Sequence, residues 1–543
     1  MKSAPLFLLL SLASLLQAEV PKLDTLFPAG GQIGSTFTLT AGGKLDEKVK
    51  LWTEAEGVHF VPTGKKGVWQ ATVTAQAQPG IHLVYACNEE GASEPRRFSV
   101  GKYPEMEEAE PNNEVGKAQM ISKLPVCINA KLGERGDVDG YSVKLKAGQT
   151  LVALVEAYAL GSPLDMLAHI VDPQGIRVRT FSDGRNLDPF IAYTAEKDGL
   201  YTVQLAGFIH PPAADIKFNG GSSSIYRLHL STGPVVTQVY PATIAQKGKS
   251  EVGLIGYNLD PKKLRLPLDE TALLHRGGDV LVNPPDCIQP VQVILTEKAA
   301  TLEKEPNNKV EEATPIPAGA GAVGGLISDR TDVDRFVLTM KKGEKMQARV
   351  KSKALGLPLD ATLRVEGPDG KVVATGIDQG TDPDPNVSWT TAAEGAYQLI
   401  VEDQFHRGGP EHYYVLETGL PAPTYAVTLP ERKPVVIERG KSLSVKINIK
   451  LLNGYKEPLI ARVSGLPAGV HAADVTVPEK GGDVELKLAA ASNAPPATVP
   501  ITFQVWTTKE PASQITADYP LRSEDVRGTT LRDRASWFWL TVR

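Results

Sequence analysis

Apolar and polar residues alternate with a period of two along most of this chain. Leu443, Val445, Ile447, Ile449 and Leu451 alternate with polar neighbours over nine positions, the pattern of a half-buried strand. Val484-Glu-Leu486-Lys-Leu488 repeats it. So do Tyr141-Ser-Val143-Lys-Leu145, Tyr201-Thr-Val203-Gln-Leu205 and Tyr226-Arg-Leu228-His-Leu230. Turn residues separate these runs, as at Pro79-Gly80, Asp172-Pro173-Gln174-Gly175 and Pro368-Asp369-Gly370. Short alternating runs between turns predict an all-β protein built of tandem β-sandwich domains, immunoglobulin-like and jelly-roll-like. No stretch carries the periodicity of a long helix.

The pattern also repeats at long range. Glu108-Ala-Glu110-Pro111-Asn112-Asn113 returns as Glu303-Lys-Glu305-Pro306-Asn307-Asn308. Gly136-Asp137-Val138-Asp139 returns as Thr331-Asp332-Val333-Asp334, and Leu160-Gly161-Ser162-Pro163-Leu164-Asp165 as Leu355-Gly356-Leu357-Pro358-Leu359-Asp360. Each phrase recurs 195 positions on, so no gap opens across the block and a domain is duplicated. A second echo lies at 213 to 214 positions. It matches Phe27-Pro28-Ala29, Gly34, Gly42 and Leu45-Asp46 with Tyr240-Pro241-Ala242, Gly248, Gly256 and Leu259-Asp260. The expected division is a signal peptide at 1–18, an immunoglobulin-like sandwich at 19–104, the first copy at 105–233, a second sandwich at 234–299, the second copy at 300–421 and a C-terminal sandwich at 422–543. Charged linkers at Tyr103–Glu108 and Ala299–Lys304 are expected to join the pairs.

At 543 residues the chain has ample length for several cores. A formal net charge of −5 with interspersed signs gives no basic face for nucleic acid. Lys2, the apolar run Pro5 to Leu16 and Ala18 form an export signal, so the mature chain is expected to be periplasmic, cell-surface or extracellular. No later run is long and apolar enough to span a bilayer. Cys87, Cys127 and Cys287 lie in three predicted domains. They are read either as unpaired buried thiols or as a Cys87–Cys127 bridge with the third free, a choice that spacing leaves open.

The repeated phrases hold the candidate chemistry. Glu108, Glu110, Asn112 and Asn113 place carboxylate and amide oxygens within six residues, and in an extended segment 108, 110 and 112 project to one side. Asp137 and Asp139 add two carboxylates. Glu303, Glu305, Asn307, Asn308, Asp332 and Asp334 are the counterparts. Calcium takes six to eight such oxygens. The plainer alternative is a solvated linker with Asx caps. Asp165 and Asp360 are read as turn formers. Zinc-protease, nucleophile-elbow and phosphate-loop motifs are absent from the sequence. His406 and His412 lie near Asp403 and Glu411 in a Gly-rich loop, read as surface rather than as a hydrolytic site. Trp52, Trp69, Trp389 and Trp506 are candidate groove-lining aromatics or core residues.

The duplicated block resembles the bacterial pre-peptidase C-terminal domain family. The residues that carry the likeness are Glu108, Glu110, Pro111, Asn112 and Asn113, Gly136 to Asp139 with Tyr141, Ser162 to Asp165, Asp172, Gly175, Gly199 and Tyr201. The "FP" and "YP" segments resemble IPT/TIG immunoglobulin-like modules. Gly465 to Val470 with Ala494-Pro495-Pro496 is similar to modules found beside bacterial glycosidases. The first resemblance implies a jelly-roll-like sandwich appended to exported hydrolases, with calcium at the twelve positions above. The first copy is expected to bind more tightly, because the second replaces Gly136 by Thr331 and Tyr141 by Phe336. The resulting expectation is an exported, non-enzymatic, calcium-stabilised binding or scaffold protein for extracellular protein or polysaccharide. The alternative is an accessory or processing partner of a secreted hydrolase.

Overall fold

In the computed structural model, the described residues are 19–209, 218–276, 279–317, 321–378, 382–420, 423–429, 435–509, 514–521 and 534–543. The expected signal peptide, with Lys2 and Ala18, lies outside them. Among the described residues every helical element is a three-residue turn, and all other regular structure is strand. The protein is all-β, made of tandem β-sandwiches. No helix among the described residues is long and apolar enough to cross a membrane.

The two copies share one topology. In the first, Glu105–Glu107, Val126–Lys131, Ile225–Ser231, Thr150–Glu156 and Phe190–Thr194 form one five-stranded sheet. Gln119–Ile121, Asp139–Leu145, Gly199–Ile209, Leu164–Val171 and Arg177–Phe181 form the facing sheet. The second copy repeats both orders, from Thr301–Leu302 to Asn386–Thr390 and from Thr314–Pro315 to Val372–Gly376. Inward residues of both sheets, such as Tyr141, Val143, Leu145, Val203 and Leu228, make the first core. Phe336, Leu338, Leu399 and Leu416 do the same in the second.

The expected linkers are strands. Glu105–Glu107 pairs in parallel with Val126–Lys131, and Thr301–Leu302 pairs in parallel with Ala322–Leu326. Met106 packs on the core between its charged neighbours, so three residues suffice to make an edge strand. This pairing delivers Glu108 and Glu303 to the sheet edge.

The N-terminal sandwich packs strands such as Ser35–Lys44 and Gly80–Asn88 around Leu39, Ala71 and Phe98. Its echo in the middle sandwich sits at Gly43, not Gly42. Gly43 pairs with Leu23 beside a bulge, as Gly256 pairs with Val236 beside a bulge. Both have positive φ, 136° and 156°, and a Cβ at either would lie 2.0 Å from a backbone carbonyl. The C-terminal sandwich contains Ser442–Leu452 and Gly482–Ala490 in one sheet and Ala497–Thr507 and Phe538–Val542 in the other.

The sandwiches are not beads on a string. Leu83 and Tyr85 of the N-terminal sandwich belong to the core of the C-terminal one. Trp52 lies edge-on to Trp537 and Trp539, with ring centroids 5.3 and 5.5 Å away. Trp69 and Trp389 are buried, and Trp506 lies under the Arg462 guanidinium at 4.3 Å. Of the four candidate tryptophans, Trp69 and Trp389 are core residues, while Trp52 and Trp506 are half-buried. The three cysteines are free thiols, and no Cys87–Cys127 bridge forms.

Candidate metal centre

Glu108, Glu110 and Asp139 present one carboxylate oxygen each, all within 4.8 Å of one another. Glu303, Glu305 and Asp334 repeat the arrangement in the second copy. In both clusters the Asp is buried, the first Glu half-buried and the second Glu exposed.

Local bonding explains why these oxygens converge. The backbone N–H of Lys131 donates to Glu108 Oε1 at 2.7 Å, a consequence of the parallel strand pair. The N–H of Asn112 donates to Glu110 Oε2 at 2.8 Å across the Pro111 turn. Tyr226 donates its hydroxyl to Asp139 Oδ2. Each carboxylate thus has one oxygen held and one free. In the second copy Leu326 N–H donates to Glu303 Oε1 at 2.7 Å, Asn307 N–H to Glu305 Oε2 at 2.9 Å and Tyr414 to Asp334 Oδ2 at 2.5 Å. Asp139 Oδ1, Glu108 Oε2 and Asp334 Oδ1 are buried with no hydrogen-bond partner. An anionic oxygen buried without a donor is costly unless a cation or proton meets it.

The titration behaviour follows from the same crowding. Burial, then the Glu108 charge, pushes the Asp139 carboxyl up to about 9. Burial pushes Glu108 up to about 7, with Glu110 and Asp137 adding to the rise. Asp334 and Glu303 rise to about 10 and about 7 for the same reasons, burial first. Without a cation the clusters hold protons at neutral pH.

The remaining expected ligands divide. Asn112 and Asn307 are fully buried beside the clusters, Asn112 with its amide nitrogen and Asn307 with its amide oxygen unpartnered. Asp137 and Asp332 instead tie their own loops. Asp137 accepts from Gly133 N–H at 2.6 Å, Val138 N–H at 3.0 Å and the Asn113 amide at 2.9 Å. Asp332 accepts from Ser328 N–H at 2.7 Å and the Asn308 amide at 2.8 Å. Asp137, Asp332, Asn113 and Asn308 therefore shape the loop that carries Asp139 or Asp334. The replacements expected to weaken the second copy change no ligand. Tyr141 bonds the Tyr226 hydroxyl at 2.7 Å rather than the cluster. Thr331 secures its turn through Asp329 at 2.7 Å where Gly136 uses positive φ.

Alternation within a strand said nothing of Tyr226 and Tyr414. Each stands on a distant strand, and only aligning the two copies residue by residue would have marked them. Asp188 and Asp384 were missed likewise. Asp188 accepts from the N–H groups of Ala157, Tyr158 and Ala159, and Asp384 from those of Ser352, Lys353 and Ala354. Of the expected turn formers, Asp360 forms an ion pair with Lys353 at 2.7 Å. Asp403 accepts from the N–H groups of Phe405, Arg407 and Asp360, so the His406 loop is a self-bonded turn.

One further cluster was invisible in the sequence. Cys127, Glu156, Arg227 and His229 meet, fully buried, where the first copy touches its neighbours. Arg227 donates to Ser99 O of the N-terminal sandwich and, at 2.5 Å, to Glu105. Gln289 of the middle sandwich donates to Glu156. Burial would lower His229, but the Cys127 sulfur and the Glu156 carboxylate outweigh it and push it up to about 10. His229 Nε2 faces both Glu156, at 3.0 Å, and Cys127, at 3.9 Å. A nucleophile–base–acid relay needs the two ring nitrogens to serve different partners. The quartet is a joint between sandwiches.

No family model matches the chain, and no curated protein matches it. Among solved structures, the periplasmic inhibitor of g-type lysozyme PliG from Aeromonas hydrophila aligns at 13% identity over 22% of this chain and 100% of its own, with a TM-score of 0.15. Fibronectin(III)-like modules of Clostridium thermocellum CbhA align at 15% identity over 34% of this chain and 92% of theirs, with a TM-score of 0.13. Tripeptidyl peptidase 2 aligns at 10% identity over 90% of this chain, which spans 39% of that chain, with a TM-score of 0.15.

Proposed function

We propose that the chain is an exported, non-catalytic binding or scaffold protein whose duplicated domains are stabilised by calcium. One observation carries the metal reading: the same three carboxylates converge in both copies, and the aspartate of each keeps one buried oxygen with no donor. Free carboxylate oxygens suit a hard cation with oxygen ligands. Glu108, Glu110 and Asp139 would hold one ion, with Asn112 beside them, and Glu303, Glu305 and Asp334 another, beside Asn307. A bound cation supplies positive charge to oxygens that otherwise repel. Because Glu108 and Glu303 directly follow the edge strands, an ion there ties the entry of each copy to its body. The likeness to the pre-peptidase C-terminal family and the sequence-based export signal support an extracellular role with protein or polysaccharide partners.

The test is thermal unfolding of the mature chain in calcium and in chelator. A ligand at a hundredfold excess over its dissociation constant stabilises by about 2.7 kcal/mol per site. Identical melting curves in the two conditions would reject the reading.

A further inference from the structure

The two clusters have different neighbours. Tyr240 closes the strand Val235–Tyr240 of the middle sandwich, and from there the chain runs onto the second copy, where Ala242 packs with Ala322, Leu355 and Val415. The Tyr240 ring lies 4.7 Å from that of Tyr413. It also covers Gly324, where a Cβ would lie 3.2 Å from Tyr240 Cε2 and 3.0 Å from Pro241 Cβ. The Gly324 carbonyl accepts the N–H of Glu303 at 3.0 Å, so the ring stands against the strand pair that presents Glu303. Burial, then the charges of Glu303 and Asp334, hold the Tyr240 phenol above its ordinary range. Among the described residues its hydroxyl has no hydrogen-bond partner.

The first copy differs at each of these positions. Phe27 stands where Tyr240 does and carries no hydroxyl. Asn129 takes the place of Gly324, and Lys131 that of Leu326. The Lys131 ammonium lies over the Phe27 ring, 3.8 Å from its centroid.

We propose that the Tyr240 hydroxyl is a ligand of the cation at the second cluster, so that the ion there joins the middle sandwich to the second copy. The inference rests on the calcium reading above. Two buried oxygens of the second cluster, Asp334 Oδ1 and Asn307 Oδ1, have no donor. The Asn307 amide nitrogen is turned to Glu303 Oε2 instead, at 3.4 Å. Calcium takes neutral oxygens beside carboxylates. A phenol that keeps its proton supplies such an oxygen without adding a fourth negative charge. Phe27 supplies none, so an ion at the first cluster is bound within one copy.

The test is calcium binding, by isothermal titration calorimetry, to the mature full chain carrying Asp139→Asn, which leaves the second cluster to report. Adding Tyr240→Phe should weaken that binding at least about tenfold. The variant keeps the ring, and phenylalanine already fills the matching place at Phe27. Adding Tyr413→Phe instead, which trims the stacked partner ring, should leave the affinity unchanged. An affinity that Tyr240→Phe does not alter would overturn this inference alone. So would an equal loss in both tyrosine variants, which marks a packing effect, or binding by the unsubstituted chain that Asp139→Asn abolishes. No binding by the unsubstituted chain would overturn the calcium reading and this inference together.

Discussion

The Tyr414 hydroxyl donates to Asp334 Oδ2 at 2.5 Å, from a strand 80 residues further along the chain. This bond fixes which oxygen of Asp334 remains for a cation. Removing it leaves a buried carboxylate oxygen unmet, a loss of about 1–3 kcal/mol. Tyr414→Phe should therefore lower the melting temperature in chelator, with a smaller loss in calcium, where the ion satisfies the freed oxygen. Differential scanning calorimetry of the variant in both buffers checks this.

Asp137 and Asp139 stand two residues apart and have different partners. Asp139→Asn should abolish the calcium-dependent rise in stability of the first copy. Asp137→Asn should destabilise the protein in either buffer while leaving a calcium response. If Asp137→Asn alone removes the response, the assignment of ligand and loop tie is reversed. Melting curves of the two variants against calcium concentration separate these outcomes.

The clusters also set a pH dependence. Glu108 at about 7 and Asp139 at about 9 lie above the usual carboxylate range, so without metal the folded state holds protons that the unfolded state has released. Stability from these groups is full below the unfolded carboxylate values and is lost as pH rises through about 7 to about 9. Chelated protein should thus melt progressively lower from pH 5 upward, and calcium should flatten or reverse that slope. A pH series of melting curves in each buffer is the check.

Arg227 is buried between Glu105, Cys127 and Ser99 O. Arg227→Met would leave Glu105 with the Asn129 amide but no cation, and Glu156 with one fewer positive neighbour. Breaking a buried pair from one side costs about 3–5 kcal/mol. The counterpart in the second copy is Val415, which pairs with Lys351 where Arg227 pairs with Glu156. Val415→Ala should cost less, about 1–3 kcal/mol, since only packing is lost. Urea unfolding of both variants tests the contrast.

The strands were legible because alternation and turn chemistry are local. Ile447, Ile449, Leu486 and Leu488 are buried as their spacing predicts. The duplication was legible because Glu108 and Glu303 begin phrases at a constant offset. Half of each cluster was legible too, since Glu-x-Glu in an extended segment puts both side chains on one side. Which aspartate completes it was not. Asp137 is taken up by the N–H groups of Gly133 and Val138, whereas Asp139 meets the Tyr226 hydroxyl from a distant strand. Tyr226, Gln289 and the Cys127 quartet depend on strands and sandwiches meeting across long separations, which no local pattern encodes.

The contact of Trp537 with Glu54 spans 483 residues. At about 5–20 residues per second, synthesis separates these two residues by roughly half a minute to a minute and a half. For that interval the N-terminal sandwich has its own strands but lacks the cover for Leu83, Tyr85 and Trp52, whose neighbours are made last among the residues they touch. The nascent chain therefore carries an aromatic patch on an otherwise finished domain. A holding chaperone would find its target there, and so would the same patch on a neighbouring unfinished chain.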